Sequence, residues 1–61
     1  MLEQIDVVLA ENGRTIVLYG YGKDDALWMQ SFDLPDPIKE ENLDHQQWRA
    51  AARPEAWRAI P

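Results

Sequence analysis

Apolar and polar residues alternate along the first third of the chain with the two-residue rhythm of half-buried strands. Ile5 to Ala10 and Thr15 to Tyr21 are two such runs, rich in β-branched and aromatic residues, separated by Glu11-Asn12-Gly13-Arg14. Asn-Gly between alternating runs predicts a hairpin with a type I′ turn, which needs positive φ at both central positions. The turn sets the pairing: Glu11 opposite Arg14, Leu9 opposite Ile16, Val8 opposite Val17, Val7 opposite Leu18 and Asp6 opposite Tyr19. Alternation then gives a core face of Ile5, Val7, Leu9, Ile16 and Leu18. The second face carries Asp6, Val8, Ala10, Thr15, Val17 and Tyr19.

Gly22-Lys23-Asp24-Asp25 predicts a second turn, and residues 26–32 a third strand. A turn of even length sets Leu18 opposite Met29 and Tyr19 opposite Trp28. Leu27 and Met29 then join the core face, and Trp28 joins Val17 and Tyr19 on the other; a three- or five-residue loop reverses this. Pro35 and Pro37 end the sheet because neither can donate to a ladder. Asp36-Pro37 suits a brief helical turn over 37–41. A helix over 45–53 follows, with Asp44 as N-cap, Gln47 three residues on, and Leu43 and Trp48 in the two positions of a hydrophobic staple. Pro54 ends or kinks it, and 55–59 can form a further short helical turn. The expected fold is α+β: one domain over 1–61, a three-stranded antiparallel β-meander with a C-terminal helix packed on one face.

Composition narrows the class. With 61 residues the chain is a single domain that buries a modest core, and it has no cysteine with which to staple that core. Three tryptophans argue against disorder. No stretch has the length and apolarity of a membrane span, and Met1-Leu2-Glu3-Gln4 lacks the basic start of a signal peptide, so the expectation is a cytoplasmic protein with no membrane partner. Net charge is −5 and unevenly spread: residues 24–44 hold seven carboxylates against Lys39 alone, while 45–61 hold Arg49, Arg53 and Arg58 against Glu55.

Catalysis finds little support. Ser31 and His45 are single representatives of their types, and no nucleophile elbow surrounds Ser31. The pairs Asp24-Asp25 and Glu40-Glu41 lack the apolar enclosure that raises a carboxyl pKa for acid–base work. Glu41 and His45 are spaced i, i+4, but with Asp44 serving as a cap they do not make a zinc site. Gly20-Tyr21-Gly22-Lys23 lacks the spacing of a phosphate loop. The expectation is therefore no catalytic residue, no metal and no cofactor. Trp48, Arg49, Arg53, Trp57 and Arg58 are residue types that suit single-stranded nucleic acid, but three arginines beside an acidic middle disfavour direct binding.

Two surfaces remain as candidates for binding a protein. One is acidic: Asp24, Asp25, Asp33, Asp36, Glu40, Glu41 and Asp44. Such a surface suits a basic nucleic-acid-binding complex and speeds association with it. The other is the aromatic sheet face with Val17, Tyr19 and Trp28, which one helix on the opposite face leaves uncovered and which could pair two copies. In its length, lack of cysteine, acidic excess and hairpin-plus-helix pattern, the chain resembles the small acidic inhibitors that phages encode against host defence, the anti-CRISPR proteins. The resemblance implies a stoichiometric DNA-mimic inhibitor in the host bacterial cytoplasm, docked on a nucleic-acid-binding site of a defence complex. It assigns no individual residue.

Overall fold

A computed structural model describes residues 2–61. Its strands β1 (Leu2–Leu9), β2 (Thr15–Gly22), β3 (Leu27–Asp33) and β4 (Arg58–Ala59) form one antiparallel sheet in the order β1-β2-β3-β4. Between β3 and β4 the chain makes a 3₁₀ turn (Glu40–Asn42), the helix α1 (His45–Ala50) and a second 3₁₀ turn (Pro54–Ala56). The α+β class holds. The fourth strand is a correction to the three-stranded meander: after Trp57 the chain turns extended and pairs Ala59 with Trp28 and Arg58 with Met29. The helical turns expected over 37–41 and 55–59 fall instead at 40–42 and 54–56.

The first hairpin has the expected register, Asp6 with Tyr19 through Leu9 with Ile16. Its turn is built differently. Gly13 N–H donates to Ala10 O at 2.9 Å, Ala10 N–H donates to Thr15 O at 2.9 Å, and only Gly13 has positive φ, +71°. Four residues, 11–14, thus form the loop, and Asn12 Oδ1 accepts from the Arg14 and Thr15 N–H groups. A four-residue loop preserves the register of a two-residue one because both are even. Glycine is required at position 13 by its φ and by Ile38 O, which would lie 3.3 Å from an added Cβ.

The second hairpin overturns the expected register by one residue. Gly22 N–H donates to Ala26 O at 3.3 Å around the three-residue loop Lys23-Asp24-Asp25, and Asp25 takes the left-handed conformation at φ +60°. Asp24 Oδ1 supports the turn by accepting from Ala26 N–H. An odd loop exchanges the faces of β3. Leu18 pairs with Gln30, Tyr19 with Met29 and Gly20 with Trp28. Leu27 and Met29 therefore lie on the face of Tyr19, while Trp28, Gln30 and Phe32 lie on the core face.

Three cross-strand rows make the core face: Ile5–Gly20–Trp28, Val7–Leu18–Gln30 and Leu9–Ile16–Phe32. Ile16 and Leu18 are fully buried, and Val7 and Leu43 nearly so; Leu34, Ile38, Trp48, Ala52 and Trp57 close over them from the segment after β3. Each fully buried aliphatic side chain contributes about 1.5–3 kcal/mol. The helix cover is set locally. Asp44 caps α1, accepting from Gln47 N–H at 3.1 Å, and Leu43 and Trp48 both pack into the core as the staple pattern predicts. Trp48 lies against Phe32 with ring centroids 5.2 Å apart.

α1 stops at Ala50, short of the expected 53, and the reason lies in the sheet. Gln30 is 5% exposed, and its side-chain amide engages the backbone of Arg53 twice. Nε2–H donates to Arg53 O at 3.1 Å, and Oε1 accepts from Arg53 N–H at 2.9 Å. A helical Arg53 would give its N–H to the helix, so the clamp and the proline at 54 together hold it extended, at φ −103° and ψ 121°.

Candidate protein-binding surfaces

The seven acidic positions of the sequence do not form one patch. Asp24 and Asp25 lie in the β2–β3 turn, while Asp33 ends β3 at the other end of the sheet. A seven-residue strand spans roughly 20 Å, which separates the two groups. From Asp33 the chain passes beside the first turn, Leu34 N–H donating to Arg14 O at 2.7 Å and Ile38 N–H to Gly13 O at 2.8 Å. Asp36 lies between these two contacts and Glu40 and Glu41 follow within three residues of the second, so these three carboxylates are on the side of Asp33 and away from Asp24 and Asp25.

Three of the seven carboxylates have structural partners. Asp24 stabilises its turn, Asp33 accepts from the Thr15 hydroxyl at 3.1 Å, and Asp44 caps α1. Asp36, Glu40 and Glu41 are exposed and take part in no salt bridge among the described residues; Asp25 is exposed too, and the turn uses its backbone conformation. All seven carboxylates are exposed, and among the described residues Asp25, Asp36, Glu40 and Glu41 are the four whose side chains make no hydrogen bond within the chain.

The basic tail is partly occupied within the fold. Arg49 Nε–H donates to Ile5 O on the outer side of β1 at 2.8 Å, and the Arg53 guanidinium lies 5.7 Å from the centre of the Phe32 ring. The first contact also covers a carbonyl of an edge strand that would otherwise be free to pair.

The second sheet face is composed of the rows Gln4–Tyr21–Leu27, Asp6–Tyr19–Met29 and Val8–Val17–Ser31. It is the open face: Val8 is 43% and Tyr21 40% exposed. Val17 and Tyr19 lie on it as expected from the sequence. Trp28 does not, because of the three-residue loop, and Leu27 and Met29 take its place beside Tyr21, which the alternation of β2 puts on this face. The proline-containing segment 34–38 runs to the Gly13 turn, with Pro37 and Ile38 against Gly13. The Tyr21 hydroxyl pKa is raised above its ordinary 10.0, first by desolvation and then by the neighbouring Asp6 carboxylate, with a smaller effect of Tyr19.

Trp28 instead borders a cleft of about 620 Å³ at the end of the core face. Trp57, Pro54 and Leu2 complete its apolar lining, and Glu3, Asp24 and Lys23 line it with charge. Gly20 accounts for the packing beside it. An added Cβ there would lie 2.6 Å from Leu2 Cδ1 and 3.2 Å from the Trp57 ring, so the bare backbone lets both side chains lie on the sheet. A one-residue bulge in β1, between Leu2 and Gln4, accompanies the placement of Leu2 on this face. The sequence carries the signals separately, as Gly20 within a strand pattern and two tryptophans 29 residues apart; only the odd loop unites them.

No family model, no curated protein and no solved structure matches this chain.

Proposed function

We propose that this chain is a non-catalytic protein-binding inhibitor, anti-CRISPR-like and phage-encoded. Its acidic surface would occupy a basic nucleic-acid-binding site on a host defence complex. The observation that carries this is the set of exposed carboxylates at Asp36, Glu40 and Glu41, which are free of salt bridges among the described residues, on a chain of net charge −5. Carboxylates held near the surface by short turns meet lysine and arginine without first breaking internal ion pairs, and they accelerate encounter at low salt. The structure-bearing carboxylates Asp24, Asp33 and Asp44 contribute to the field, while their hydrogen bonds maintain the scaffold.

The test is capture, with the tagged chain as bait, of a nucleic-acid-binding defence complex from bacterial lysate. The expected result is capture that moderate salt releases and that the Asp36→Lys/Glu40→Lys/Glu41→Lys variant loses, with DNA competing for the same site. Capture unaffected by the charge reversal refutes the acidic surface as the binding element.

A second reading is favoured by Val8 and Tyr21, the exposed large hydrophobic residues among those described, both on this open sheet face. In it the chain is a homodimeric or accessory subunit that associates through this face. Tyr19→Ala with Tyr21→Ala would then disrupt self-association in a sizing experiment while the charge reversals leave it intact. A monomer at every concentration refutes it.

A further inference from the structure

We infer that the cleft between Trp28 and Trp57 is a subsite for an arginine side chain presented by the partner protein. Its volume of about 620 Å³ falls within the range of small-molecule sites, roughly 300–1,000 Å³. Its composition points to the ligand class. Two indoles are the strongest aromatic partners for a cation, and a planar guanidinium also stacks on them. Two carboxylates, Glu3 and Asp24, line the cleft against one ammonium, Lys23, so a bound cation meets a net negative charge. Asp24 Oδ1 accepts from Ala26 N–H, which holds that carboxylate in place beside the cleft.

Lys23 is the resident competitor. Its Nζ is 3.9 Å from Glu3 Oε1, and the two side chains are 88% and 54% exposed, so their ion pair is weak and readily exchanged. An incoming guanidinium takes over Glu3, and Lys23, already largely in solvent, gives up the contact. The inference rests on the protein-binding reading for the source of the arginine, a basic protein surface. It does not depend on the 36–41 carboxylates, which belong to the opposite end of the sheet.

The experiment is a titration of the full chain, followed through its three indole N–H resonances, with the blocked peptide acetyl-Gly-Arg-Gly-amide. Its neutral citrulline counterpart serves as the control at matched ionic strength. The expected result is a saturable shift of the Trp28 and Trp57 signals, with the Trp48 signal unmoved and affinity for the citrulline peptide roughly tenfold lower. Glu3→Gln with Asp24→Asn should weaken binding several-fold while leaving the indole spectrum of the free protein folded, because asparagine retains the acceptor for Ala26 N–H. Lys23→Ala should strengthen binding. Equal affinity for the citrulline peptide, the absence of a saturable shift, or equal movement of Trp48 overturns the inference. Failure of this titration with charge-sensitive partner capture intact removes the subsite alone; the reverse pair of results removes the acidic surface alone.

Discussion

The two faces of the sheet share one backbone and differ in what covers them. On one face, Val7, Ile16 and Leu18 disappear beneath Leu43, Trp48 and Trp57, and even the polar Gln30 is buried because both halves of its amide are satisfied. On the other, Val8 and Tyr21 remain in solvent and Asp6 sits among the aromatics. The difference separates the two faces by role: the covered face holds the fold, and the open face leaves Val8 and Tyr21 in contact with solvent. In a chain of 61 residues with no disulfide, the core on a single face must supply most of the apolar stabilisation.

The sharpest way to break this contrast is to truncate both faces. Leu18→Ala should cost about 4 kcal/mol in chemical denaturation, because a fully buried side chain leaves a cavity. Val8→Ala on the open face should cost less than about 1 kcal/mol. Equal losses would mean that the open face is covered in solution, and a concentration-dependent midpoint for the parent chain would identify self-association as the cover.

Gln30→Leu comes next in size. It keeps the bulk but strands the Arg53 N–H and C=O groups, and should cost about 2–3 kcal/mol. Gln30→Glu retains the acceptor for Arg53 N–H but loses the donor to Arg53 O, so it should be destabilising as well. If Gln30→Leu proves neutral, apolar burial alone explains the cover. Smaller again, Asp44→Ala should lose about 1 kcal/mol by removing the cap of α1, with Asp44→Asn close to the parent in the same denaturation experiment.

The smallest effect concerns the open face. Folding favours the protonated Tyr21 phenol, so the folded chain holds that proton more tightly than the unfolded chain. The associated stability is therefore fully present below the ordinary tyrosine pKa and is lost as pH rises through the higher folded value. In a Tyr19→Phe background, the ultraviolet titration should show a Tyr21 midpoint above 10.0, and Asp6→Asn should lower it. A midpoint indifferent to Asp6→Asn would remove the carboxylate from the account.

Much of the framework was legible in the residues because its causes are local. Alternation over 5–10 and 15–21 with an even-length turn yields the first register, and Asp44, Gln47, Leu43 and Trp48 mark the start of α1. The acidic 24–44 stretch was legible as composition, but its division into two groups required the direction of β3 and the return of the chain past Gly13. An even turn puts Trp28 on the aromatic face and an odd one on the core face, and Gly22-Lys23-Asp24-Asp25 permits turns of either parity. Asp25, not a glycine, takes the left-handed position, and that choice turns Trp28 and Gln30 inward.

The sequence by itself determined the order of the first three strands and α1, the pairing of the first hairpin, the cap of α1 and the sign of the charge, but not the fourth strand. Each follows from residues within a few positions of one another. Only the tertiary structure decided which face of β3 is buried, where α1 ends, how the carboxylates group and that Trp28 and Trp57 share a cleft. Those outcomes depend on contacts between distant segments: the Gln30 amide on Arg53, Trp57 over Gly20, and β4 beside β3. A one-residue difference in a turn has a small local energy but reverses every side chain beyond it, so the packing of the whole domain selects between the alternatives.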